Sequence, residues 1–100
     1  MRYAAPYHGR GEAYRAKGDN DRAIADYDQA IQFDPKYAAA YKNRGYTYLG
    51  RGDHDWAIAA FDQALKLNPS LAKSREGLAR VQGLLAKPPN PGTQTNAPTR

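Results

Sequence analysis

Residues 4–37 read AAPYHGRGEAYRAKGDNDRAIADYDQAIQFDPKY, and residues 38–71 read AAAYKNRGYTYLGRGDHDWAIAAFDQALKLNPSL. Aligned without a gap, sixteen of the 34 positions are identical, among them Tyr7/Tyr41, Arg10/Arg44, Gly11/Gly45, Tyr14/Tyr48, Gly18/Gly52, Ala23/Ala57, Ala30/Ala64 and Pro35/Pro69. A fixed period of this length marks an internal duplication of one supersecondary unit. Each unit reads as two helices. Apolar and small residues recur three and four apart, as at Tyr7, Gly11 and Tyr14, and predict a first helix over Ala5–Lys17 and its copy over Ala39–Arg51. Gly18 and Gly52 are placed to stop these helices in a left-handed C-terminal cap. Asp19, Asp21, Asp53 and Asp55 are N-cap and first-turn acids of second helices over Asp21–Phe33 and Asp55–Leu67. Asp34-Pro35 and Asn68-Pro69 end those helices, since the residue before proline resists the helical region, and the proline is expected to open the next helix.

Working outward, a fifth helix is predicted over Ser70–Ala86, with Leu71, Leu78, Val81, Leu84 and Leu85 turned inward. No partner helix follows it, so it is expected to cap the open end of the stack. From Lys87 to Arg100 the chain is polar and proline-rich and is expected to be extended or disordered. The expected organisation is one all-α domain over residues 1–86, with repeats at 4–37 and 38–71, a capping helix over 70–86 and a flexible tail over 87–100.

The composition agrees. One hundred residues make a single domain with a modest core, and a deep catalytic cavity is not expected in one so small. Eight tyrosines, many alanines and a single valine favour helix over strand. The absence of cysteine excludes disulfides, thiol nucleophiles and cysteine-ligated zinc. No apolar run has the length of a membrane span or of a signal-peptide core. A cytoplasmic location is therefore expected, or a periplasmic or secreted one if a signal precedes this stretch. The net charge of +5 is unevenly spread. Residues 1–69 hold ten Lys/Arg against nine Asp/Glu, whereas residues 70–100 hold five against one. A basic stripe along a folded face, as nucleic-acid binding would want, is not present.

The duplicated unit resembles the tetratricopeptide repeat (TPR) family, whose signature is Trp-x2-Leu-Gly-x2-Tyr, then Ala-x3-Phe, then Ala and Pro within 34 residues. The aromatic position falls on Tyr7 and Tyr41, the small position on Gly11 and Gly45, and the next aromatic on Tyr14 and Tyr48. The second-helix positions fall on Ala23/Ala57, Tyr27/Phe61 and Ala30/Ala64, and the closing proline on Pro35 and Pro69. One departure is systematic: the leucine before the glycine is Arg10 and Arg44. A buried unpaired guanidinium is very costly, so these arginines are expected to reach solvent or to pair with Asp28 and Asp62, the acids that repeat with them.

The resemblance implies an all-α, TPR-type superhelix in which the first helix of each pair lines a concave groove that holds a peptide or helix segment of a partner protein. The groove positions that the resemblance implies fall on His8, Glu12, Lys42, Asn43, Tyr46, Leu49, Lys73, Glu76 and Arg80, with Gly9, Ala16 and Gly77 beside them. That mixture of hydrogen-bonding, aromatic and basic groups suits a polar or acidic segment, with Tyr46 as the central contact. A subset of the family grips a C-terminal carboxylate with five residues, which fall here on His8, Glu12, Asn43, Lys73 and Gly77. Only Asn43 and Lys73 match. Glu12 repels a carboxylate and Gly77 lacks the bidentate donor, so this clamp is not expected.

Other chemistry is not indicated. Asp53-His54-Asp55 matches Asp19-Asn20-Asp21 in the first unit and reads as a helix start, not a metal site. Neither a nucleophile motif nor a phosphate-cradling loop occurs, and Gly9-Arg10-Gly11 lies within a helix. The protein is expected to be non-catalytic, with no cofactor, metal, small-molecule substrate or membrane partner. Self-assembly through exposed edges or the proline-rich tail is the alternative. Nucleic acid held by Lys73, Arg75, Arg80 and Lys87 is a distant third.

Overall fold

The computed structural model describes residues 3–86. They form five helices and, among the described residues, no strand: α1 (Ala4–Ala16), α2 (Asn20–Phe33), α3 (Ala38–Arg51), α4 (His54–Leu67) and α5 (Ala72–Ala86). The expected tail over 87–100 lies outside the described residues. Helices α1 and α2 pair as one antiparallel hairpin and α3 and α4 as the next. Helix α2 packs on α3 and α4 on α5, so the hairpins stack and α5 closes the far end.

Local chemistry explains the boundaries. Gly52 adopts φ +83°, a left-handed conformation with a steric cost for any side chain, and Gly18 is its copy at φ +82°. Around each, two amides turn back to satisfy helix-end carbonyls. Gly18 N–H donates to Arg15 O at 2.9 Å and Asp19 N–H to Tyr14 O at 2.9 Å, and Gly52 and Asp53 do the same toward Leu49 and Tyr48. The Asp19 side chain then caps α2 by accepting from Arg22 N–H at 3.2 Å. Asp53 does not repeat this; its carboxylate pairs with Arg51 at 3.0 Å.

The prolines do not open helices. Pro35 is the second residue of a turn closed by Tyr37 N–H donating to Asp34 O at 3.0 Å, with the Asp34 carboxylate accepting from Lys36 N–H. Asn68, Pro69, Ser70 and Leu71 repeat it, which moves the start of α5 from the expected Ser70 to Ala72.

The core sits where glycine meets aromatic. Tyr27 and Phe61 are fully buried. A Cβ on Gly11 would lie 2.9 Å from the Tyr27 ring, and one on Gly45 2.7 Å from the Phe61 ring. These glycines therefore let α1 and α3 close on the second helices of their own hairpins. Ala57, Phe61 and Val81 form one cluster flanked by Tyr46, Tyr48, Leu49, Ile58 and Leu78, and Ala4, Ala30 and Ala40 form another flanked by Tyr7, Ile31 and Tyr37. Of the residues expected inward on α5, Val81 is buried and Leu78 packs beside it, but Leu84 and Leu85 are 50% and 52% exposed.

The repeated arginines both form ion pairs, though not in a repeated way. Arg44 donates to Asp28 at 2.6 Å, joining α3 to the preceding hairpin. Arg10 instead forms a two-bond fork onto Asp26 of its own hairpin, at 2.8 and 2.9 Å. Ala60 stands where a second Asp26 would be, and Asp62, expected to take an arginine, is exposed and has no ion pair among the described residues. The α5 residue in register with Arg44, which would have to meet Asp62, is Leu78.

Candidate functional site

Helices α1, α3 and α5, each first in its unit, present one wall. Arg15, Lys42, Asn43, Tyr46, Lys73, Glu76 and Arg80 line an open cavity of about 370 Å³ on it. Six of the nine groove residues read from the sequence are brought together here: Lys42, Asn43, Tyr46, Lys73, Glu76 and Arg80. Four cations face a single acid, and that acid, Glu76, is loosely paired with Lys73 at 3.7 Å.

Tyr46 is held in place. Its hydroxyl donates to Lys73 O at 2.6 Å, and its ring meets Phe61 edge-on with centroids 4.9 Å apart. The aromatic face at the centre of the wall is thereby anchored both to the core and to α5. Asn43 is buried, and its amide nitrogen lies 2.8 Å from His8 Nε2. With that amide donating, His8 carries its proton on Nδ1, 3.4 Å from the Tyr37 hydroxyl.

The three remaining residues do other work. His8 bonds Asn43 and Tyr37 across the helices. Glu12 accepts from the Tyr27 hydroxyl at 2.5 Å and from Arg15 at 3.2 Å. Leu49 packs against the Ala57/Phe61/Val81 cluster. Arg15, absent from the sequence reading, lines the cavity beside Lys42. The signal for it existed, since Arg15 stands 34 residues ahead of Leu49 and shares its register.

These bonds set the titration of the wall. Burial, reinforced by Lys42 and Arg15, holds His8 below its ordinary value of 6.5 despite the nearby Glu12. Burial pushes Glu12 up, but the Tyr27 hydroxyl and Arg15 outweigh it and hold the carboxyl below its usual range. The unfolded chain therefore binds more protons at His8 than the folded one does. Its contribution is complete above pH 6.5 and is lost as pH falls through 6.5 toward the lower folded value. The melting temperature is expected to drop between pH 7 and pH 5.5, and the drop to shrink in His8→Gln. Glu12 acts in the same direction only at lower pH, around and below 4.5. Thermal melts of both chains across that range check this.

Among the described residues no group of three His, Cys, Asp or Glu is placed to hold a metal ion, and no helix is long and apolar enough to cross a membrane.

Stacked helical hairpins with a glycine–aromatic core and a polar inner wall define an α-helical repeat module. Two family models match it: one described as TPR repeat, over residues 11–52, and one described as tetratricopeptide repeat, over residues 38–71. Together they span more than half of the chain, and the protein belongs to the tetratricopeptide repeat family. Solved structures agree in fold. The second TPR of Spaghetti (RPAP3), bound to the HSP90 peptide SRMEEVD, is 26% identical with a TM-score of 0.81, over 83% of this chain and 77% of that one. The second TPR domain of human RPAP3 in complex with the HSP70 peptide SGPTIEEVD is 26% identical with a TM-score of 0.76, over 79% and 66%. The TPR domain of Arabidopsis OM64 is 26% identical with a TM-score of 0.79, over 81% and 67%. No curated protein sequence matches the chain.

Proposed function

We propose that this chain is a protein-interaction module that holds an acidic, extended segment of a partner protein across the wall formed by α1, α3 and α5. The observation that carries this is the convergence of Arg15, Lys42, Lys73 and Arg80 with Asn43 and Tyr46 around one open cavity. Cations focused in a concave site attract acidic side chains, and a fixed tyrosine supplies contact area at little entropic cost. Two of the similar domains are bound to peptides ending in Glu-Glu-Val-Asp, which supports an acidic ligand.

The proposed recognition is of acidic side chains along the segment, not of a terminal carboxylate. His8 and Glu12 are spent on Asn43, Tyr37, Tyr27 and Arg15, and Gly77 has no donor. A fluorescent SRMEEVD peptide, its C-terminally amidated form and a form with both glutamates changed to glutamine separate these modes. Amidation is expected to change affinity little, whereas the Glu→Gln pair weakens it. Lys42→Ala and Tyr46→Ala are each expected to weaken binding about tenfold, or about 1.4 kcal/mol, with stability unchanged in Lys42→Ala and lowered in Tyr46→Ala, which also loses the contacts to Phe61 and to Lys73 O. Equal affinity in both variants rejects the assignment of the wall.

A further inference from the structure

His8 and Asn43 meet between α1 and α3, and the repeat does not demand the pair. At the same two positions between α3 and α5 stand Lys42 and Gly77, one lining the wall and the other without a side chain. Asn43 is buried yet borders the wall cavity, and its amide nitrogen lies 2.8 Å from His8 Nε2. Among the described residues its side-chain amide has no other hydrogen-bond partner.

A primary amide has a donor half and an acceptor half, and whichever half faces His8 leaves the other for the cavity. With His8 neutral and bare at Nε2, the NH2 half is taken and Oδ1 is left. An acceptor there suits a backbone N–H of a bound segment and disfavours a carboxylate. Cationic His8 has donors on both ring nitrogens. Its Nδ1–H still faces the Tyr37 hydroxyl at 3.4 Å, but Nε2–H would confront the amide NH2 at 2.8 Å. Half a turn about the Asn43 Cβ–Cγ bond relieves this within the same volume. Oδ1 then accepts from Nε2–H, and the NH2 turns to the cavity.

We propose that His8 is a positioning residue that sets which half of the Asn43 amide the wall presents, and that its protonation makes Asn43 a donor to a carboxylate of the bound segment. With the wall as the binding face, on which this rests, affinity for an acidic segment then rises on acidification. The groups around the imidazole set where the change falls. Glu12 of α1 favours the cation, whereas Arg15 of α1 and Lys42 of α3 oppose it. Tyr27 of α2 and Tyr37, just ahead of α3, lie against it with ring centroids 5.7 and 5.0 Å away. Burial tips the balance toward the neutral form, so the amide turns below pH 6.5. By linkage, a bound acidic segment raises the His8 pKa in return.

Two measurements on the full chain test this. Nitrogen-15 NMR of the free protein reads the pair directly. His8 Nε2 is expected to be unprotonated at pH 7.5, and the Asn43 side-chain amide signals to shift together with the His8 titration. Binding of an N-terminally labelled SRMEEVD peptide is expected to be about fivefold tighter at pH 5.5 than at pH 7.5, the smaller end of coupling between linked sites. The carboxylates of the peptide stay largely ionised over that range. His8→Gln is expected to remove the gain. Asn43→Ala keeps the charge on His8 without the amide and is expected to lose most of it. Equal affinity at both pH values overturns the proposal, as does a full gain in Asn43→Ala or a proton on Nε2 at pH 7.5. A peptide that binds at neither pH defeats the wall as the binding face, and the amide signals of the free chain then decide by themselves whether His8 turns Asn43.

Discussion

Phe61→Ala is expected to lower the melting temperature of this protein by about 20 °C. Truncating a buried phenylalanine costs roughly 3–5 kcal/mol, and in a domain of this size each kcal/mol is worth roughly 4–8 °C. The upper part of the range applies here because the cavity has no means of closing. The ring is fully buried and is flanked by Gly45 and Gly77, neither of which has a side chain to fill the space. Three helices meet on this one residue, so the loss reaches beyond α4. Val81 of α5 loses a partner in its cluster, and Tyr46 loses the edge contact that positions its ring in the wall. Phe61→Leu, which keeps most of the volume, is expected to cost less than half as much. Thermal melts followed by circular dichroism decide this; a loss under about 1 kcal/mol would show that the ring is not the joint described.

Gly77→Arg is expected to undock α5. The substitution puts arginine where the carboxylate-gripping pattern has it, so it is the obvious change to make in converting this wall. The fold does not allow it. The new Cβ would lie 2.4 Å from Cζ and 2.6 Å from Cε1 of Phe61, and that part of the ring is already closely met by Gly45, where a Cβ would lie 2.7 Å from Cε1. Overpacking of this kind costs roughly 1–3 kcal/mol, and the cost falls on the helix that closes the stack. Lys73 and Arg80 leave the wall with α5, so affinity for an acidic peptide is expected to fall more than tenfold along with stability. Lys73→Ala provides the control. Its side chain is exposed, so stability should change by less than about 0.5 kcal/mol while binding still weakens. Amide exchange along α5 distinguishes the two: fast in Gly77→Arg, unchanged in Lys73→Ala. A Gly77→Arg chain with a protected α5 contradicts the packing.

Much of the fold was legible before any coordinates. Helix ends are local events, governed by a left-handed glycine, an aspartate on a free amide or a proline two residues along, and these signals lie within a few residues of one another. The groove was legible in part, because register places Lys42, Asn43, Tyr46, Lys73, Glu76 and Arg80 on one side of their helices. Register could not say what each side chain meets there. Arg15 and Leu49 occupy the same position of the repeat, yet one lines the cavity and the other packs into the core. The difference comes from the neighbours: α1 offers Glu12 to hold an arginine out, whereas α3 lies over the Phe61 cluster.

The arginines teach the same lesson. The cost of burying a guanidinium left Arg10 and Arg44 either to reach solvent or to pair with an acid, and periodicity offered Asp28 and Asp62 because they repeat; the pairs formed are Arg10, itself largely exposed, with Asp26 and Arg44 with Asp28. A 34-residue repeat makes the units alike in sequence, but it does not make their surroundings alike. The first unit has no hairpin before it among the described residues, and the last helix has none after it, which is why Leu84 and Leu85 stand exposed. Two hairpins, a closing helix and the left-handed glycine stops followed from the order of residues alone, since each depends on chemistry within a turn or two, whereas the Asp53 cap and the prolines as helix openers did not form. Partners of charged groups, the spending of His8 and Glu12 between helices and the membership of the wall depended on which helix lies across from which, a distance relation that exists only once the stack has closed.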